Sequence, residues 1–391
     1  MNSILYYIGL FLISFISTSW IFKKTLRIAI DKNIVDNPDA RKIQRVPVPV
    51  LGGVAVYFGI VVALAFAGTF NNEVSALFEI GAVMTIMLFI GTVDDIISLS
   101  PRFRFIVEIV AVLLLVFSNH YSINDFHGLW GIDQIPAYIA IPLTVIACVG
   151  IINAINLIDG VNGLSSGYCI AASAVFGYVF YRMGDVSHAT LAFVTIGALI
   201  PFFLHNVFGD KSKMFIGDGG TLLMGVIMSS FAINILKSGS LVSLQVSDNF
   251  GLVAFTLAVF AIPVFDTIRV MTLRIIRGIS PFSPDKTHLH HLLLDLHFSH
   301  VGTSGTEILS NILIVIAWWI SYKLGASVDV QLYIVILLGV MVTFVFYKFA
   351  RVQERKCSQI HTLMVRFGDR THVGSKEWFD GMRKMLDKNI D

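Results

Sequence analysis

The chain is a succession of long, continuous apolar runs separated by short polar stretches. Inside a bilayer only α-helices and closed barrels satisfy every backbone N–H and C=O, and about 18–22 consecutive apolar residues make a helix of spanning length. Eleven runs meet that description, at about 4–22, 50–68, 76–93, 104–118, 138–156, 164–181, 188–207, 219–236, 250–268, 305–322 and 331–348. The predicted fold class is therefore an all-α polytopic membrane protein. No internal repeat is evident. The first run has no basic residue before it and no small-residue cleavage site, and Lys23 and Lys24 follow it directly. A removable signal peptide shows the opposite order of charge, so a retained span is expected.

Composition supports this. Of the 391 residues, 55% are hydrophobic and 14% charged, where a soluble domain carries about 25% charged residues. The mean hydropathy is +0.78. Cys148 and Cys169 lie in apolar runs and Cys357 in a polar stretch, so neither a disulfide framework nor a CxxC metal site is expected. The net charge of +2 is uninformative, but its distribution is not. With the N-terminus outside, all Lys and Arg except Arg182, Lys237 and Lys323 fall on the cytoplasmic side, 25 of 28. That bias predicts N-terminus outside, C-terminus cytoplasmic. It divides the chain into a membrane domain, 1–348, and a basic cytoplasmic tail, 349–391.

The same topology collects Asp94, Asp95, Asp159, Asp218, Asp266, Asp285, His288, His290 and His291 at the cytoplasmic face. Single loop carboxylates are ordinary, but acidic and imidazole groups from five segments sharing one face favour a composite site. In "GTVDDIIS", Asp94 and Asp95 end an apolar run side by side. Adjacent carboxylates are tolerable there if cations share the site, either Arg104 nearby or a hard divalent ion. In "NAINLIDGVNGL", Asn153, Asn156, Asp159 and Asn162 recur every three residues, which puts the first three on one helix face if the helix reaches 158. Their amides suit a base or sugar, with interhelical polar contacts as the plainer reading. In "KMFIGDGGTLLMG", Asp218 precedes two glycines where a helix N-terminus begins, a place that favours phosphate. Phe215 beside it can stack on a base or simply sit at the interface.

Two basic or imidazole segments complete the set. "DNPDARKIQRVPVPVLGG" offers Arg41, Lys42 and Arg45 in a proline-stiffened loop, as an anion clamp or as a topology signal. "SPFSPDKTHLHHLL" predicts a helix start at Pro284 and Asp285, with His288 and His291 on one face and His290 on another. The HxHH cluster lacks the ligand spread of a catalytic zinc site; phosphate or sugar contacts fit it better.

Taken in order, these stretches resemble the polyprenyl-phosphate N-acetylhexosamine-1-phosphate transferase family, the superfamily that includes the phospho-MurNAc-pentapeptide transferase. The resemblance covers about residues 36–293. It implies transfer of a sugar 1-phosphate from a UDP-N-acetylhexosamine, with GlcNAc the expected sugar, to undecaprenyl or another polyprenyl phosphate, releasing UMP. It implies Mg²⁺, with Mn²⁺ as an alternative. By the same resemblance Asp218 and Asp159 hold the metal, and Asp94 and Asp95 serve the acceptor phosphate or the metal. Asn153, Asn156 and Asn162 fall, with Asp159, on the nucleotide or the metal, and His288, His290 and His291 on the sugar diphosphate; Arg45, Arg104, Asn206 and Phe215 complete the expected substrate-binding set. The single HxHH resembles the N-acetylhexosamine branch more than the peptidoglycan branch. Gln44 and Asn162 depart from residues common in the family, His and Asp respectively. The implied setting is the cytoplasmic membrane, with a homodimer as a candidate assembly and no nucleic-acid partner. A phospho-MurNAc-pentapeptide transferase-like enzyme is the nearer alternative. An ion-coupled transporter is the more distant one, disfavoured because few charges lie mid-span.

Overall fold

A computed structural model describes residues 3–38, 44, 46–70, 76–119, 122–244, 249–281, 286–374 and 376–388. The helices are α1 (Ser3–Asp31), α2 (Gly52–Phe70), α3 (Ala76–Ile97), α4 (Pro101–Asn119), α5 (Ala137–Leu157), α6 (Leu164–Met183), α7 (Val186–Phe208) and α8 (Gly217–Ile235). After them come α9 (Ser240–Leu244), α10 (Leu252–Val259), α11 (Ala261–Ile276), α12 (Leu289–Asp295), α13 (His300–Lys323), α14 (Val328–Val340), α15 (Phe346–Arg355), α16 (Gln359–Asp369) and α17 (Glu377–Asp387). A π-helical turn, Met341–Val345, joins α14 to α15. Two antiparallel ribbons pair β1 (Val35–Asp36) with β2 (Val48–Pro49), and β3 (Asp125–Leu129) with β4 (Ile132–Gln134).

Every predicted span coincides with helix, and the protein is an all-α polytopic membrane protein. Among the described residues nine helices are long and apolar enough to cross a bilayer, or ten if the bent α10–α11 pair is one span. The expectation of eleven differs at α4. That helix forms, but Arg102, Arg104 and Glu108 lie within it and make it more polar than the other nine.

The predicted span at 250–268 is broken, with α10 and α11 meeting at 74°. Pro263 lies in the first turn of α11 and has no N–H for the carbonyl of Val259. The freed groups are satisfied from neighbouring helices. Asn311 Nδ2 donates to Val259 O at 2.8 Å, Asn311 Oδ1 accepts from Ile262 N at 2.9 Å, and the Tyr168 hydroxyl also donates to Val259 O. A break in apolar surroundings persists only with such partners.

The centre of the bundle is α8, 94% buried along its span. Glycines let backbones reach it. A Cβ on Gly53 of α2 would strike the backbone of Gly220, and one on Gly91 of α3 would lie 2.5 Å from the Asp218 carbonyl. On the α5 side, a Cβ on Gly225 would sit 2.7 Å from Ile152 Cα. Small residues permit this close van der Waals packing, the main attraction between helices where the surroundings are as apolar as the side chains. The segment 49–53 also pairs with 215–216: Phe215 N donates to Pro49 O, Gly52 N to Phe215 O and Gly53 N to Ile216 O, at 2.8–2.9 Å. The N-terminus of α8 is thereby held against the ends of α2 and α3.

Candidate active site

The C-terminal ends of α3 and α5 and the N-terminal ends of α4 and α8 meet around one guanidinium. Arg104 Nη1 lies 3.2 Å from Asp94 Oδ2 and 3.5 Å from Asp218 Oδ2, and its Nε is 3.4 Å from Glu108 Oε1. Nη2 donates to Asn156 Oδ1 at 3.3 Å. The amide of Asn156 then donates to Asp218 Oδ1 and to Thr221 Oγ1, each at 2.7 Å. Asn153, one turn earlier, donates to Glu108 and to Val149 O. The three-residue spacing that put Asn153 and Asn156 on one face therefore gives each a different carboxylate.

Asp95 has a distinct placement. Its two oxygens accept from the backbone N–H groups of Asp218, at 2.9 Å, and Gly219, at 3.2 Å. It caps α8 from another helix, using the orphan donors and the positive end of the dipole. Gly217 makes this approach possible: it has φ +74°, and a Cβ there would strike the Asp95 carboxylate. Adjacent carboxylates thus coexist because Asp94 faces a cation and Asp95 faces a helix N-terminus.

Asp159 lies in the turn after α5, where Ser165 Oγ donates to it. Burial pushes its carboxyl up to about 7, and the nearby Asp218 charge adds to the rise even though the Ser165 bond opposes it. The turn is fixed from behind by Asn206, whose Oδ1 accepts from Gly163 N at 2.7 Å and whose Nδ2 donates to Met214 O at 2.9 Å. Asn162 uses its backbone: its N–H donates to His300 Nδ1 at 3.3 Å and its carbonyl accepts from Ser304 at 2.7 Å. Phe215 is half-buried beneath Lys213, whose ammonium is 5.8 Å from the ring centre.

The histidines abut the same turn. A Cβ on Gly160 would strike His290 Nε2, so the Asp159-Gly160 backbone lies directly on that ring. The helix begins at Leu289, later than the expected start at Pro284–Asp285, and residues 282–285 lie outside the described set. His288 is its extended N-cap, and its ring is parallel to that of His290, with centroids 5.5 Å apart. His290 also packs on His291 at 4.4 Å. The three rings form one array, unlike the expected split between faces, because His288 is not helical. Burial, with His291 and His288 adding to it, pushes His290 well below the usual imidazole range, so it is neutral at pH 7. Arg41, Lys42 and Arg45 lie outside the described residues.

A cavity of about 240 Å³ opens beside Arg104 between α4, α5 and α11. Asp94, Arg104, Glu108, Asn153 and Arg274 line it together with the apolar Leu99, Phe105, Leu157 and Met271. It suits a ligand with an anionic head and an apolar body. Glu108, Thr221, Ser165 and Arg274 belong to the site but not to the residues its motifs single out. Glu108 had a visible signal, an ionisable residue inside an apolar run and four residues after Arg104. The hydroxyls had none.

Among the described residues, no three His, Cys, Asp or Glu side chains form a ready-made metal cage. Mg²⁺ does not need one, since it is held by one or two carboxylates together with substrate phosphates and water. Asp94 and Asp218, both drawn to one cation, are a donor set of that kind.

A polytopic membrane protein with a half-buried acidic, amide and imidazole cluster where its helix ends meet is the class that the fold and site define. The family model of glycosyl transferase family 4 matches residues 77–236. A Bacillus subtilis (strain 168) protein named "Probable undecaprenyl-phosphate N-acetylglucosaminyl 1-phosphate transferase" is 30% identical over 291 residues, 74% of this chain and 78% of the relative. Two proteins named undecaprenyl-phosphate alpha-N-acetylglucosaminyl 1-phosphate transferase also match. The one from Escherichia coli O157:H7 is 29% identical over 70% of this chain and 72% of its own, and the one from Yersinia pestis 28% identical over 76% and 78%. The chain belongs to glycosyl transferase family 4, in the branch of polyprenyl-phosphate N-acetylhexosamine-1-phosphate transferases.

Proposed function

We propose that the protein transfers N-acetylglucosamine 1-phosphate from UDP-N-acetylglucosamine to undecaprenyl or a related polyprenyl phosphate, in the cytoplasmic membrane, with its site on the cytoplasmic face. The carrying observation is the joining of Asp94, Asn156 and Asp218, from three helices, around Arg104. The relatives' names and the distribution of Lys and Arg support the reaction and the orientation.

An acceptor phosphate oxygen attacks the β-phosphorus of the UDP-sugar. The bond to the bridging oxygen breaks, UMP leaves with that oxygen, and a lipid-linked diphosphate sugar forms. A phosphate monoester has a second pKa of about 6, so little acceptor remains to be deprotonated at neutral pH. Positioning and charge neutralisation are then the main tasks. Arg104 supplies a fixed guanidinium for the converging anions, Asn156 orients Asp218, and Asp95 holds α8 so that Asp218 stays beside Asp94. Asp218 would hold Mg²⁺, with Asp94 or Asp159 as the second carboxylate; the ion would offset phosphoryl charge as a Lewis acid. The array of His288, His290 and His291 faces the sugar diphosphate. The cavity between α4, α5 and α11 takes the acceptor's phosphate against Arg104 and Arg274 and the first part of its chain against its apolar lining residues.

The test is UMP release and lipid-linked radiolabel from purified protein, UDP-[¹⁴C]GlcNAc, polyprenyl phosphate and Mg²⁺, with UDP-GalNAc and UDP-MurNAc-pentapeptide as competing donors. Asp218→Asn is expected to abolish transfer while the protein still inserts and elutes as the parent does. Transfer at the parental rate would remove Asp218 from the site. Trapping a phosphorylated Asp94 or Asp95 during turnover would replace direct attack with a covalent route.

A further inference from the structure

Behind the histidine array lies a second polar unit that the reaction described above does not use. Asp266 and Arg269, one turn apart on α11, are each only 2% exposed. Asp266 Oδ2 is 2.8 Å from His288 Nδ1, and Oδ1 is 2.6 Å from Arg269 Nη2. The backbone N–H of Leu289 donates to the same carboxylate at 3.2–3.3 Å. Arg269 Nη2 also donates to the carbonyl of Thr287, and the guanidinium lies 3.8 Å over the ring of Tyr347 on α15. The backbone on either side of His288 is thereby tied to α11, and the ring to Asp266.

We infer that Asp266, held by Arg269, is a positioning residue that fixes the tautomer and ring orientation of His288 at the sugar-diphosphate side of the site. A carboxylate can only accept at this distance, so Nδ1 must carry the proton and Nε2 is left as the variable pole. An imidazole bonded through one nitrogen to a buried carboxylate keeps one tautomer and can take a second proton next to an anionic ligand without moving. His288 passes its orientation on, because its ring lies parallel to that of His290, which rests on Gly160 beside Asp159. Capping alone does not account for the arrangement. Asp266 takes a single backbone N–H of the seven-residue α12 at long distance and makes its shorter bonds to side chains.

The inference rests on the transferase reading for its kinetic consequence but not for its structural one. In Asp266→Asn the amide can donate to Nδ1 and favour the Nε2–H form, with transfer falling by about 10- to 100-fold. Two measurements decide it. ¹⁵N spectra of histidine-labelled protein, with the His288 signal assigned by its loss in His288→Gln, should show a protonated Nδ1 in the parent and its loss in Asp266→Asn. In kinetics, the effect of Asp266→Asn should shrink to less than twofold in a His288→Gln background, because the residue acts through that ring. A merely structural role would leave the loss undiminished in the double variant. An unprotonated Nδ1 in the parent, or an undiminished loss, overturns the inference. If the parent releases no UMP, the transferase reading fails by itself, and the ¹⁵N result still decides the tautomer.

Discussion

Arg104 shows how one side chain resolves several conflicts. Asp94, Asp218 and Glu108 would repel one another across a partly desolvated space, and their shared cation is a planar guanidinium with donors in a fixed fork. Lysine has the charge but not the fork. Arg104→Lys is therefore expected to keep the fold and lose about 10²-fold in transfer, as when one preorganised donor is lost, read as UMP release at saturating donor. A loss under threefold would mean that charge alone suffices. At this scale the carboxylates, asparagines and histidines were legible in the sequence, because charge and amides are conspicuous in apolar surroundings. The division of labour between Asp94 and Asp95 was not: adjacent residues on a helix point about 100° apart, and what each faces depends on chain elsewhere.

At the scale of elements, the site depends on how closely helices reach α8. Gly53 meets the backbone of Gly220, which cannot move aside as a flexible side chain would. Gly53→Ala is expected to cost about 1–3 kcal/mol of overpacking, read as a lower melting temperature in detergent, with transfer reduced because Asp218 shifts with α8. An unchanged melting temperature would show that α2 and α8 can separate at no cost. The tail makes a second such contact. Asp387 at the end of α17 accepts from Ser212 Oγ at 2.7 Å and from backbone N–H groups of Asp210 and Ser212, on the loop that leads to Phe215. Partial burial alone would raise its carboxyl, but these hydrogen bonds outweigh it and hold it below the ordinary 3.8. A depressed carboxylate stabilises the docked form above 3.8, and this is lost as pH falls through the lower, bound value. Asp387→Asn at pH 7 should therefore imitate acid and speed proteolysis of α17. Equal cleavage in parent and variant would show that the docking does not depend on the charge. The glycine pair at the start of α2 signals a close backbone approach in the sequence, but not that Gly220 is the partner; the docking of Asp387 has no sequence signal.

For the whole molecule, orientation is the proposal with the simplest test. Cys148 and Cys169 are buried and Cys357, just after α15, is exposed. A membrane-impermeant maleimide is expected to label Cys357 in inverted vesicles and to leave intact cells unlabelled. Labelling of intact cells would put the tail, and the helix ends nearest it, on the outer side. The broken α10–α11 pair is also a property of the assembly. Apolar length predicted one span there, and the bend is tolerated only because Asn311 and Tyr168 on other helices take up the freed backbone groups.

The sequence by itself determined the solvent of this protein, the places where helices cross, and the chemical types gathered between them. Those follow from local quantities: apolar run length, the position of charge, and motifs a few residues long. Tertiary structure alone decided that Arg104 is the hub, that Asp95 caps a helix while Asp94 faces the cation, that His288 leans on Asp266, and that α4 packs one face against α3 and α5 despite its charges. Each of these depends on which polar group of one helix meets which group of another. That pairing is set by how closely the backbones approach, and glycines in separate segments fix the approach only once the helices are packed.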